Sequence, residues 1–350
     1  LIKENGNFEN LTFNDGESTA IPISSGNSIN IINCIFSFNK GYDDEPGAIS
    51  ASGEALAKIT SCRFFNNKGT YHGGAVLLEV NAFEITDCIF KNNECSNTDP
   101  DNDRRSRGGA IFFLRYSDTH IIDSCLFENN TAKSAGGAIF VDYKKKSSLK
   151  LLIFDLPVFI VNCQFIGCKC DTDGGAISSG YPETAGAKSD GDMKIENCTF
   201  TQNEAQSGGA IFYPDGTTNG DEDKIIYNCT FESNIASHEG SCIYSLTFNL
   251  TLRNVTFKNN RPESECNTFS YIRMNENPPT IDEVIFESND GCTFSIDVPD
   301  NTLVFTNCIF RNSKGQIFNS KKILGDEPRK FIDCTFTLNE GNDATTPINL

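Results

Sequence analysis

Aspartates at alternate positions are the first residues in this 350-residue chain whose types and spacing could do chemistry. Asp99-Pro-Asp101-Asn-Asp103 and Asp221-Glu-Asp223 offer hard carboxylate oxygens at every second residue, a pattern suited to calcium. Neither run has the glycine and closing glutamate of an EF-hand loop, so solvated loop acids are the competing reading. Calcium held by Asp99, Asp101, Asp103, Asp221 and Asp223 is the one metal expected, and no other cofactor is. Further loop acids, Asp171 with Asp173 and Asp190 with Asp192, could pair as acid and base, as in a glycosidase.

Cysteine offers a second chemistry. Of fifteen, nine (Cys34, Cys62, Cys88, Cys125, Cys163, Cys198, Cys229, Cys308 and Cys334) occupy one repeat position, two residues before its phenylalanine. Valine takes that place at Val255 and Val284, which suits packing rather than metal ligation. Off this column, Cys242, Cys266 and Cys292 align nearly one above another, so a Cys242–Cys266 or Cys266–Cys292 disulfide is feasible. Cys170, in a loop, is a candidate partner for Cys95. Six Asn-x-Ser/Thr sequons, at Asn10, Asn129, Asn197, Asn228, Asn249 and Asn254, are candidate glycosylation sites of a secreted chain.

What must position these residues is a repeat. Cys34-Ile-Phe36-Ser-Phe-Asn39 returns as Cys62/Phe64/Asn67, Cys88/Phe90/Asn93, Cys125/Phe127/Asn130 and onward to Cys334/Phe336/Asn339, at intervals of 24 to 38 residues. Gly-Gly-Ala-Ile or a close variant follows at Gly73, Gly108, Gly136, Gly174 and Gly208. An Ile or similar residue stands three places before each Cys. Cys and Phe, two apart, share one face of a strand, while the odd spacing from Ile to Cys demands a bend. Copies of one such motif describe an all-β solenoid, a single-stranded parallel β-helix of about twelve coils with three short strands each. Residues 1–350 read as a single β-helix domain, expected to be part of a longer extracellular protein. At about 4.8 Å per coil the stack is roughly 55 Å long. Phe then lies on Phe, Cys on Cys, and Asn39, Asn67, Asn93 and Asn130 form an amide ladder at a bend, each in the left-handed conformation.

This frame tests the remaining chemistry. His72 and His238 precede equivalent glycines five coils apart, roughly 24 Å, and His120 stands alone at a strand start. They cannot form one acid–base pair, and no outward column of acids is apparent, so no enzyme is expected. A net charge of −18 argues against nucleic acid and anionic lipid. The most apolar stretch, Leu149 to Val161, is too short to span a membrane, so no insertion by this segment is expected.

Gly-Gly-Ala-Ile paired with Phe-x-x-Asn resembles the repeat signature of the chlamydial polymorphic outer-membrane proteins. Similar repeats occur in large surface proteins of some protists. The resemblance covers Phe13 to Asn339. It implies a right-handed parallel β-helix displayed at the cell surface and used for adhesion, with no catalytic residues to carry over. The chain departs from the bacterial family in lacking a C-terminal β-barrel and in placing Cys before Phe so regularly. The expected function is a non-catalytic extracellular adhesin or spacer whose edge loops contact a cell-surface protein or glycan. The alternatives are a filament protomer that associates with itself end to end through open edges, and a polysaccharide-cleaving β-helix enzyme.

Overall fold

Strand alternation builds the first sheet. In Ile35–Ser37 and its counterparts the central Phe points inward and its neighbours outward. A computed structural model of the chain describes residues 6–23, 28–97, 106–115, 118–143, 157–180, 192–214, 223–246, 249–262, 267–272, 279–290, 292–297, 303–314, 330–337 and 339. Within them, twelve such strands from Thr12–Asn14 to Thr335–Thr337 pair in one sheet, parallel and in register, one per coil. The twelve Phe rings from Phe13 to Phe336 stack with centroids 4.5 to 5.2 Å apart and planes within 18°. The core is therefore built around one continuous aromatic column flanked by Ile, Ala and Cys columns.

The bend expected between the Ile and Cys strands is made by one residue in the left-handed region. Asn33, Ser61, Asp87, Ser124 and Asn162 hold it with φ between 50° and 54°, and small polar side chains tolerate it best. Past that bend the Cys N–H needs an acceptor along the axis, and the sulfur one coil on supplies it. Cys34, Cys62 and Cys88 donate to Cys62, Cys88 and Cys125 Sγ at 3.4 Å, and Cys163 and Cys198 continue at 3.4 and 3.5 Å. Each thiol in turn lies within hydrogen-bond reach of the carbonyl two residues before it, as Cys88 does with Thr86 at 3.2 Å. The column does more than fill space. Val255 and Val284 match its volume without offering that acceptor. Cys88→Val is thus expected to cost about 1–3 kcal/mol by orphaning the buried Cys62 N–H, with Cys88→Ser milder. Urea midpoints of the two variants check this.

Five residues on, the inward Asn forms the second rail. Asn93 Oδ1 accepts from both Asn67 N and Asn67 Nδ2 at 3.0 Å, while Asn93 Nδ2 donates to Phe64 O and Asn130 Oδ1 at 3.0 Å. The same pattern joins Asn39 to Asn67 and runs from Asn203 through Asn234 and Asn260 to Asn289. The left-handed residue is not the ladder Asn, as expected, but the one before it: Phe38, Asn66, Asn92 and Asn129. Cys168 interrupts the rail, as its place in the Asn slot implied.

The three expected strands per coil are partly redistributed. The Gly-Ala-Ile strand and the Ile strand belong to one twenty-stranded sheet. Where no insertion separates them they run through as single strands, Ile49–Thr60 and Val76–Thr86. The third sheet is instead built after the Asn slot from seven short strands, from Lys68–Gly69 to Arg261–Pro262. Its inward residues are Gly, Cys, Ala and Pro, too small and too few to show a period in sequence. The chain then turns through a glycine pair. Gly136 has φ +64°, and a Cβ on Gly137 would lie 2.1 Å from Gly175 O of the next coil, so the first glycine makes the turn and the second permits the stack. Among the described residues no helix is long and apolar enough to cross a membrane.

Candidate recognition surface

The length of each coil is fixed everywhere but at two connections. Five residues separate the Cys and Asn slots in every copy, and the Asn slot reaches the glycine pair in five or six residues except where 93 to 108 carries an insertion. The variable connection joins the Gly-Ala-Ile strand to the following Ile strand: Ile139–Tyr143 to Val158–Val161, Ile177–Ser179 to Met193–Glu196, and Ile211–Tyr213 to Asp223–Tyr227. These strands pair coil on coil, so successive insertions leave from one corner of the stack.

Beside this corner runs a column that alternation sends outward from the Gly-Ala-Ile strands: Leu77, Phe112, Phe140, Ser178, Phe212 and Tyr244. Outward residues of a solenoid are ordinarily polar, yet Phe112 and Phe212 are 2% exposed and Phe140 is 0%. With Leu77, Leu114 and Ala135, the first two of those coils form a second apolar cluster outside the main core. His72 lies against Phe112 at 4.3 Å, the Arg107 guanidinium sits 5.5 Å from the Phe140 centroid, and Phe212 stacks on half-buried Tyr244 at 5.4 Å.

Just before the glycines lies a further outward column, His72, Arg107, Ala135, Asp173, Ser207 and Glu239, paired coil to coil. Burial, and then the carboxylates of Glu239 and Asp173, push the Tyr244 hydroxyl up to about 12. Asp173 and Glu239 are two coil steps apart, roughly 9.6 Å along the backbone. An outward column bearing acids thus exists where the sequence reading found none. The signal was the aromatic or apolar residue after Gly-Gly-Ala-Ile in repeated copies, which strand alternation turns out of the core.

The other candidates are scattered. Asp99, Asp101, Asp103 and Asp221 lie outside the described residues. Asp223 is exposed at the start of its strand, its N–H donating to Asp192 Oδ1 at 2.8 Å. Among the described residues no three Cys, His, Asp or Glu side chains are grouped to hold a metal. Glu239, not His238, takes the His72 position, because a register shift intervenes between Ala205 and Ser207. His120 is buried between the rings of Phe83 and Phe113, a core aromatic rather than a catalytic one. Asn10, Asn197, Asn228 and Asn254 occupy the first bend, exposed. There Asn254, Asn228 and Asn197 each donate Nδ2 to the Oδ1 of the preceding coil's Asn at 2.7 to 3.1 Å. Asn129 sits at the second bend and Asn249 opens the strand Asn249–Arg253.

Cys242 is a buried free thiol. Cys266 lies outside the described residues, and the register places Asn267 beside Cys292, one residue out of line with Cys266. Cys95 and Cys170 do share a column, but Ala132 stands between them, and two coil steps of roughly 9.6 Å exceed disulfide reach. The thirteen cysteines whose side chains are described are free, and of these only Cys334 is not buried. Burial pushes Cys95, Cys168, Cys170 and Cys308 from the ordinary 9.0 up to about 12. Their protonated form therefore supports the fold below pH 9, and that support is lost as the pH rises from 9 toward 12. Cys266 and Cys292 aside, Ellman's reagent at pH 8 is expected to label Cys334 rapidly and the others only on unfolding; fast labelling of several column thiols would contradict their burial.

Coils in register, inward rails and a variable corner define a repeat protein of the parallel β-helix class. The family model described as "Right handed beta helix region" matches residues 1–185 and 185–344, and the chain belongs to that family. No curated protein and no solved structure shows significant similarity to it.

Proposed function

We propose that this chain is a non-catalytic extracellular β-helix that acts in adhesion or as a surface spacer, touching a cell-surface protein or glycan through its variable corner. The observation that carries this reading is the run of three insertions, 144–156, 181–191 and 215–222, at one corner beside an outward aromatic column, against one insertion, between 93 and 108, at the other variable connection. A solenoid varied in one place presents different loops on a constant rod, and loops on a rigid scaffold are where recognition concentrates. The repeat-motif similarity to surface adhesins supports the setting. So does burial of the thiols, which lets free cysteines persist in an oxidising compartment.

Replacing 144–156, 181–191 and 215–222 by two-residue linkers tests it. Binding of the purified chain to cultured cells is expected to fall at least tenfold with the far-UV circular dichroism unchanged. Undiminished binding would remove the corner from the function. A second reading, cleavage of a polysaccharide, is favoured by the outward column that carries Asp173 and Glu239 two coil steps apart. Turnover of a neutral or acidic polysaccharide that Asp173→Asn abolishes would replace the first reading.

A further inference from the structure

At the second bend, away from the insertion corner, the first four coils enclose a groove of about 430 Å³. One wall is the bend column Asp15, Phe38, Asn66 and Asn92; the other is the charged column Glu17, Lys40, Lys68 and Glu94. Phe38 is anomalous. Its φ of +56° is a conformation that a bulky side chain adopts at a cost. The equivalent residue is Asp15, Asn66, Asn92, Asn129, Gly167, Gln202, Ser233, Asn259, Ser288 or Asn312, never another aromatic. Phe38 recovers little of that cost by burial, since it is 53% exposed. Tyr42, 55% exposed, donates its hydroxyl to Glu17 at 2.6 Å beside it.

We propose that this groove binds a neutral sugar ring stacked on Phe38. A pyranose has an apolar C–H face for the ring and a rim of hydroxyls that need paired donors and acceptors. The Asn66 and Asn92 side-chain amides supply both and make no bond to another of the described residues. Lys40–Glu17 at 3.3 Å and Lys68–Glu94 at 2.9 Å neutralise one another, so the wall offers polar groups with little net field. With Asp15 on the facing wall the lining carries one net negative charge, which disfavours an anion and leaves an uncharged ligand the better fit. An extended peptide finds no strand edge here, because the N–H groups of Phe38, Asn66 and Asn92 are bonded to Phe65, Lys91 and Glu128 carbonyls at 2.9 to 3.1 Å.

Backbone strain makes the proposal testable against a structural role. Phe38→Asn installs the residue found elsewhere in the column, so it is expected to hold or raise the melting temperature while weakening sugar binding at least tenfold. Saturation-transfer NMR and calorimetry with methyl glycosides of glucose, galactose, mannose and N-acetylglucosamine read the binding. Saturation of the ring C–H protons of at least one glycoside, lost in Phe38→Asn, is the supporting result. Any of three results would overturn the proposal: no glycoside bound, binding indifferent to Phe38→Asn, or a lower melting temperature in the variant. A uronic acid or a peptide bound in preference would overturn the ligand class. Deleting the corner insertions leaves this groove intact, so either proposal can fail alone.

Discussion

Alanine at Asn93 is expected to destabilise the fold by about 4 kcal/mol, because it strands four polar groups at once at about 1–3 kcal/mol each before relaxation. Asn67 loses the acceptor of both its backbone and side-chain N–H, Phe64 O loses its donor, and Asn130 Oδ1 loses one as well. All lie in a bend with no room for water, Asn67, Asn93 and Asn130 being 0% exposed. The molecule contains its own control, since Cys168 fills the same slot while its backbone N–H still donates to Asn203 Oδ1 at 3.0 Å. Asn93→Cys is therefore expected to cost roughly half as much, a weak sulfur acceptor replacing a strong one. Guanidinium unfolding followed by circular dichroism measures both. Equal losses for alanine and cysteine would show that volume, not hydrogen bonding, sets the cost.

Alanine at Gly137 is expected to do more. The added methyl would sit 2.1 Å from Gly175 O and 2.5 Å from Lys169 O, both backbone atoms of the next coil. No side chain can rotate away, so the coils must separate locally at a cost of about 4–5 kcal/mol or more. In a solenoid each coil is stabilised by its neighbours, so the damage is expected to divide the stack. Limited proteolysis should then cut between 137 and 175 and leave two resistant fragments. Ser241 occupies the same slot one coil beyond Gly209, so the column tolerates a side chain only where the glycine run has ended. A Gly137→Ala chain that unfolds in one transition near the wild-type midpoint would refute the steric account.

Phe36, Cys34, Asn39 and the glycine pair were legible in sequence because their jobs repeat, and a column of identical residues can do only what every coil allows. Where identity changed along a column, the reading lost register. Phe38 hid the left-handed bend by standing where others have Asn, and so the bend was assigned to its neighbour. The strand Lys68–Gly69 was invisible because two residues carry no period. Phe112 and Phe140 turn outward from their strands, a direction that hydrophobicity alone does not give. Asp173 and Glu239 lie 66 residues apart in sequence and share an outward column only once coils are stacked in register. What the insertions contact was never legible, since their residues follow no repeat.

The break in the asparagine rail has a mechanical meaning. Hydrogen bonds between coils run along the axis, so tension between the two ends loads the coil junctions in series, and a series of links yields at its weakest. Most junctions from Asn39 to Asn289 clamp the bend with amide-to-amide bonds. Between Asn130 and Asn203 Cys168 stands in place of the amide, and beyond Asn289 Ser313 does so again, its hydroxyl accepting from the Asn289 N–H at 3.4 Å. A rod anchored at both ends would part first at one of these two substituted rungs, and the rupture force of the whole would be that of the weaker.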